Sequence, residues 1–148
     1  TVAIMHAGND PKDLHATPGH GDVLTEVYDW LEARIDALET IGIDRARILV
    51  DPGIGFAKSV NDNLALVNGL ALFHGLGCPI LFGASRKRMI GALSGEAEAK
   101  DRLGGSIALA MLAVGQGAHI VRVHDVAETV QALRVWRGAR DAALTARA

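Results

Sequence analysis

Cysteine is nearly absent from this chain. Cys78 is the only one among 148 residues, so no intrachain disulfide can form, and a small secreted disulfide scaffold is excluded. Aromatic residues make up 4% of the chain, and its four prolines gather into no Pro-rich linker. The longest uninterrupted apolar stretch, Ile107 to Val114, falls far short of the roughly 20 residues that a membrane helix needs. The first residues carry no basic segment ahead of an apolar core, so no signal peptide is legible. Charge of one sign is lacking too. Fifteen Lys and Arg stand against 17 Asp and Glu, a net charge of −2, which gives no global field for nucleic acid or an acidic membrane. The expectation is a soluble, cytoplasmic protein with neither a nucleic-acid nor a membrane partner. Cys78 follows Gly77 and precedes an apolar run, which fits a buried structural thiol.

What is present is 49% hydrophobic residues and 22% charged ones, the balance of a globular domain. Residues 1–148 are expected to form one domain. Short apolar runs read as strands: Val2–Met5, Arg47–Val50, Pro79–Phe82 and His119–Val123. Helical spacing lies between them. Leu24, Val27, Leu31, Ile35 and Leu38 form one stripe, which Gly42 ends. Leu64, Val67 and Leu70 form a shorter one. Residues 102–115 are apolar nearly all round, so this helix is expected to be buried, with a second subunit as one possible cover. Residues 128–143 are amphipathic, with Val130, Leu133 and Val135 or Trp136 expected inward. Loops are expected over 8–21 and 93–101.

Strand and helix alternate four times, the pattern of a parallel sheet covered by helices. Two architectures fit: an open doubly wound sheet, or part of a (β/α)8 barrel. Both bind ligands at the C-terminal ends of their strands. Chemistry-bearing residues stand at those ends. Asp51-Pro52-Gly53-Ile54-Gly55-Phe56-Ala57-Lys58 follows the second strand. Asp51 either accepts two hydrogen bonds from a flat amidine-like edge or caps the turn, and Gly55 permits close backbone approach. Gly83-Ala84-Ser85-Arg86-Lys87-Arg88 follows the third strand, either as an anion site or as a solvated basic loop. Arg122-Val123-His124-Asp125 follows the fourth. Alternation places Arg122 and His124 on one face, suited to phosphate or diphosphate unless Arg122 pairs with a buried carboxylate. Met5-His6 ends the first strand, where Met5 offers an apolar wall. His15 and His20 match no zinc spacing and read as loop residues. His74 and His119 read as structural, and Trp30 and Trp136 as packing residues.

In order and separation, these motifs closely resemble those of the dihydropteroate synthases. The resemblance covers essentially the whole chain but only the C-terminal part of that family's barrel. It implies a pterin-binding TIM (β/α)8 barrel represented by about its last four βα units, with the N-terminal half absent and Thr1 in place of an initiator Met. It further implies a folate-pathway transferase that condenses 4-aminobenzoate with (7,8-dihydropterin-6-yl)methyl diphosphate to give 7,8-dihydropteroate and diphosphate. By that resemblance Asp51 holds the amino-pyrimidine edge of the pterin and Met5 lines its pocket. Lys87 bonds the pterin and positions the aminobenzoate, while Arg122 stacks on the pterin and reaches the diphosphate. His124 binds the diphosphate too, which makes Lys87, Arg122 and His124 the catalytic set. Ser85 contacts the aminobenzoate carboxylate, and Phe56 and Gly55 line that substrate's side, where sulfonamides should compete. Mg²⁺ is implied as a cofactor, its protein ligand lying in the absent half, with no metal ligand in this segment. A homodimer is implied as well. The segment Ala7-Gly8-Asn9-Asp10 departs from the family's usual form. The isolated chain is expected to be inactive. A methyltetrahydrofolate methyltransferase, or a non-catalytic truncated fragment, is the alternative.

Overall fold

The computed structural model describes residues 1–8, 22–95 and 98–145. His15, His20 and the Asn9-Asp10 departure lie outside the described residues. The elements in chain order are β1 (Val2–Met5), α1 (Val23–Thr40), β2 (Ile48–Asp51), α2 (Val60–Asn68), β3 (Leu81–Phe82), α3 (Arg88–Leu93), α4 (Leu103–Gly115), β4 (Ile120–Val121) and α5 (Val126–Thr145). Short 3₁₀ segments precede β2, follow α2 and precede α4.

Each helix on the first half of the chain has a local reason to start. Asp22 caps α1 by accepting from the amides of Leu24 at 3.1 Å and Thr25 at 3.4 Å. Val23, Val27, Leu31 and Ile35 then recur every four residues, so one face of the helix is buried. Ser59 and Asp62 form a reciprocal capping box at the start of α2. The short helix α3 occupies a stretch with no periodic signal of its own, because six residues are fewer than two turns.

The strands run parallel, and neighbours in sequence are neighbours in space. β1 pairs with β2 in the register Val2↔Ile48 to Met5↔Asp51. β2 meets the segment entering β3 through a parallel bridge between Val50 and Ile80, and β3 pairs with β4. A doubly wound sheet reverses its strand order at a switch point. The order here runs 1-2-3-4 without reversal, which is the order of a (β/α)8 barrel arc. β3 is shorter than its apolar run because Pro79 has no amide to give the ladder; its carbonyl accepts from Val50 N at 3.0 Å instead. β4 likewise keeps only two residues of the run His119–Val123.

The core lies between the sheet and α1, α2 and α4, built from Leu31, Ile35, Ile48, Ile54, Leu66, Phe73, Ile80, Phe82 and Ala113, among others. Gly105 of α4 lets that helix close on α3: a Cβ there would lie 2.3 Å from Ile90 Cγ2. Two burial expectations need correction. α4 buries Leu109, Ala110 and Ala113 but leaves Leu112 exposed. On α5, Val130 and Val135 are exposed, Leu133 and Trp136 are half-buried, and Thr129 is buried. The reason is that, among the described residues, no further layer packs over those faces. Cys78 is buried as expected, its thiol pushed up by burial. His74 and His119 serve structure: His74 Nε2 meets the Gln116 carbonyl at 2.9 Å, and His119 Nδ1 accepts from Ile80 N at 3.1 Å. No helix of the described residues is long and apolar enough to cross a membrane.

Candidate functional site

The site is assembled at the C-terminal ends of β1 to β4, and the four strands contribute in turn. Asp51 is the last residue of β2 and is 5% exposed. One carboxylate oxygen accepts from Gly53 N at 2.8 Å, which shapes the turn and leaves capacity on the carboxylate for a ligand. The turn reading and the ligand reading of this Asp are therefore compatible. Burial pushes the Asp51 carboxyl upward, while the Gly53 amide and the charges of Lys87, Arg122 and Lys58 work in the opposite direction. Met5 is opposite Asp51 in the β1–β2 register and half-buried.

The turn after Asp51 can follow only one path. Gly53 has φ +72°, and a Cβ on it would lie 1.8 Å from the carbonyl oxygen of His6. Gly55 has φ +79°, and its missing side chain makes room for the Lys87 stem, which a Cβ would meet at 2.6 Å. Lys87 enters from the loop after β3. Its ammonium donates to the Ile54 carbonyl and stands 4.0 Å from the centre of the Phe56 ring. Desolvation lowers its pKa to about 8, against the pull of Asp51. Gly55, Phe56 and Lys87, distant in sequence, thus form one wall.

The loops after β3 and β4 are stitched together twice. Ser85 Oγ lies 3.0 Å from His124 Nδ1 and accepts from His124 N at 3.2 Å. Arg86 forks onto the Asp125 carboxylate, with its Nε at 3.1 Å from one oxygen. Arg86 is therefore committed to an ion pair, so neither open reading of the basic run, an anion site or a solvated loop, describes that position. Arg122 is exposed and lies over Gly83, where a Cβ would come within 2.9 Å of its guanidinium. Gly83, Ser85, Lys87, Arg122, Val123 and His124 line a cleft of about 200 Å³. The alternation expected at the fourth strand end holds: Arg122 and His124 are exposed, Val121 and Val123 half-buried.

Every site residue named from the sequence thus lies at this end of the sheet. Sequence reasoning missed a buried pair beneath them. Lys58 Nζ lies 2.9 Å from His6 Nδ1, and the His6 ring meets Trp30 edge-on at 5.2 Å. The available signal was a Lys closing a glycine-rich turn that follows a strand end. Asn63 was missed as well; its side chain accepts from Gly55 N and donates to the Ser59 carbonyl at 2.7 Å.

A buried carboxylate in the field of Lys87, Arg122 and Lys58 thus stands beside a cleft lined by Arg, Lys and His, at the C-terminal end of a barrel arc. The model of the pterin binding enzyme family matches residues 1–124, and the chain belongs to that family. It is 45% identical over 134 residues to a dihydropteroate synthase of Escherichia coli K12, covering 90% of this chain and 47% of the relative. The Xanthomonas albilineans dihydropteroate synthase solved with 4-aminobenzoic acid superposes with a TM-score of 0.86 and 46% identity, covering 93% of this chain and 48% of that one. The same organism's enzyme in complex with 7,8-dihydropteroate matches with a TM-score of 0.86 and 44% identity, over 93% of this chain and 50% of that chain. The chain spans about half the length of the curated relatives it matches.

Proposed function

We propose that the chain carries, as one domain, the C-terminal half of a dihydropteroate synthase active site. The reaction joins 4-aminobenzoate to (7,8-dihydropterin-6-yl)methyl diphosphate. The observation that carries this reading is the buried Asp51 carboxylate in the field of Lys87 and Arg122, next to the Arg122–His124 cleft. Asp51 accepts from the amino-pyrimidine edge of the pterin, with Met5 as an apolar neighbour. Lys87 bonds the ring from the Phe56 side. Arg122 covers the pterin and reaches the diphosphate, which His124 also meets.

In the reaction the methylene carbon–oxygen bond breaks and its electron pair departs with the diphosphate. The aminobenzoate nitrogen forms the new carbon–nitrogen bond and then loses a proton to solvent or to the leaving group. Arg122 and His124 stabilise the departing anion, while positioning does the remainder, because a neutral aromatic amine needs no strong base. Ser85, Gly55 and Phe56 receive the aminobenzoate. The diphosphate-sized cationic cleft favours this chemistry over methyl transfer from a methyltetrahydrofolate. Among the described residues no group of three or more His, Cys, Asp or Glu could hold a metal. The Mg²⁺ that the family resemblance implies, with its protein ligand outside this segment, belongs to the same reading and enters no step assigned to these residues. A homodimer through the exposed apolar positions of α4 and α5, such as Leu112 and Val135, and a cytoplasmic setting belong to the same reading.

Calorimetric titration of the chain with 7,8-dihydropteroate tests the site. Saturable binding that Asp51→Asn and Lys87→Ala each weaken strongly is expected; unchanged binding in both variants would overturn the assignment. The chain alone should form no dihydropteroate at an enzyme-like rate, and turnover by it would refute the half-site reading.

A further inference from the structure

The turn from Pro52 to Ala57 carries much of the site yet belongs to no helix or strand. Something must hold it, and the geometry singles out Lys58. Ala57, in the left-handed region with φ 46°, turns the chain just before it. The Lys58 side chain then reaches back under its own turn. Its ammonium donates to the carbonyls of Gly53 at 3.2 Å and Phe56 at 3.1 Å, both within the turn. It also donates to the carbonyl of His6 at 3.2 Å and meets His6 Nδ1 at 2.9 Å, both at the end of β1. Lys58 is 9% exposed and His6 1%.

We propose that Lys58 is a positioning residue for pterin binding: its buried ammonium ties the end of β1 to the turn after β2. It thereby holds the Asp51 carboxylate and the Ile54 carbonyl beneath Lys87 in the arrangement that meets the heterocycle, without touching the ligand. The inference rests on the pterin reading above. Proton counting gives the clasp its character. An ammonium has three donors for three carbonyls and an imidazole nitrogen, so His6 Nδ1 serves as acceptor and the ring proton sits on Nε2. A neutral amine has two donors and one lone pair. It leaves two donors for the three carbonyls, and its lone pair calls for the opposite His6 tautomer. Desolvation lowers the Lys58 pKa to about 8, and the charged groups facing it are Asp51 on β2, Glu26 on α1, Lys87 after β3 and Asp62 on α2.

Lys87 titrates in the same range, so the experiment must separate the two. Nitrogen-15 shifts of the histidine side chains should show His6 protonated on Nε2 at pH 7. The switch to Nδ1–H should occur as pH passes about 8 in the native chain and in Lys87→Met, but not in Lys58→Met. Calorimetric affinity for 7,8-dihydropteroate should fall above that pH with a limiting slope of two protons in the native chain and one in Lys58→Met. At pH 7 the variant should bind at least about tenfold more weakly. Native affinity and a native pH profile in Lys58→Met would overturn the proposal. If that variant fails to fold, His6 carrying its proton on Nδ1 at pH 7 in the native chain would overturn it equally. Asp51→Asn is the control: native binding in that variant would defeat the pterin reading itself and leave the His6 tautomer result standing separately.

Discussion

The two ends of the sheet solve opposite problems with similar residues. At the β1–β2 end, Asp51, Lys58 and His6 are all buried, and their charges are met by backbone amides and carbonyls. At the β3–β4 end, Arg122 and His124 are exposed, and the ion pair of Arg86 and Asp125 sits at a partly exposed rim. A flat heterocycle is recognised best where water cannot compete for its hydrogen bonds. On the proposed reading a diphosphate has to leave, and a cationic cleft open to water allows that. In that reading the dry end supplies selection and the wet end supplies departure. The cost of the dry end appears in the titration of its groups: burial pushes Asp51 upward and Lys58 downward, each toward its neutral form.

The sharpest way to break this comparison is one methyl group at each end. Gly53→Ala sets a Cβ 1.8 Å from the His6 carbonyl at φ +72°, with backbone on both sides and nothing able to yield. We expect a loss of about 3 kcal/mol or more of stability, or about 10 °C in Tm, by thermal denaturation. Gly83→Ala meets only the Arg122 guanidinium at 2.9 Å, the far end of a flexible side chain. Stability should change by less than about 1 kcal/mol, while inorganic diphosphate binds more weakly because Arg122 is displaced. Equal destabilisation by the two substitutions would erase the distinction between a locked turn and a yielding cleft.

The ligands can be separated in the same way. Asp51→Asn keeps an oxygen for Gly53 N but loses the charge, so affinity for a pterin should fall about 100-fold, near 3 kcal/mol. Affinity for inorganic diphosphate should change little. His124→Ala should do the reverse, weakening diphosphate about tenfold and leaving a pterin without diphosphate nearly unaffected. Calorimetry with each ligand on each variant gives four numbers, and a pattern in which both variants lose both ligands would show one coupled site instead of two.

The wet end was the more legible in the sequence. Ser85, Lys87, Arg122 and His124 stand at strand ends, where any parallel α/β sheet binds, and period-2 alternation puts Arg122 and His124 on one face. The four strands and the dominant helices were legible as well, since Val27, Leu31 and Ile35 recur with helical spacing, while the strand order stayed open between a doubly wound sheet and a barrel arc. The dry end was only half legible. Asp51 and its glycines announced a turn, but two of the contacts of Lys58 are at His6, 52 residues away, and no local pattern encodes a contact of that range. Arg86 misled for a related reason: in sequence it is one of three adjacent cations, while in the fold its left-handed backbone turns it toward Asp125. Val130 and Val135 carry helical periodicity, yet periodicity names a face without saying that anything covers it.

A smaller effect has opposite signs in two measurements. In the folded chain Lys58 loses its proton at about 8, while an unfolded lysine keeps it to 10.5. Below about pH 8 both states are protonated and the buried charge costs stability in full. Between that pH and the unfolded value the unfolded chain binds more protons, so stability rises with pH. From pH 7 to 9 Lys58 and Lys87, both lowered to about 8, should each add about 1 kcal/mol by urea denaturation; Lys58→Met should lose its half of the gain. The Cys78 thiol, raised by burial, opposes this trend only at more alkaline pH. Pterin affinity should fall over the window in which stability rises. If the two moved together, the ammonium of Lys58 would not be holding the turn at stability's expense.

The smallest expected effect lies at the rim of the wet end. Arg86 has φ 59°, a left-handed conformation that costs a side-chain-bearing residue about 1–2 kcal/mol and glycine almost nothing. Against that cost stand its fork onto Asp125 and its backbone amide, which donates to Ser106 Oγ at 2.9 Å. Arg86→Ala removes the fork and keeps the strain; Arg86→Gly removes both but adds chain entropy to the unfolded state. The glycine variant should therefore be the more stable of the two by about 0.5–1 kcal/mol in urea denaturation. Because the Ser85–His124 contact does not depend on the guanidinium, diphosphate affinity should agree within about twofold between them. A glycine variant less stable than the alanine one would mean that the loop is not strained at Arg86. The rim would then be held by the Arg86–Asp125 ion pair without backbone strain, unlike the positive-φ turn of the dry end.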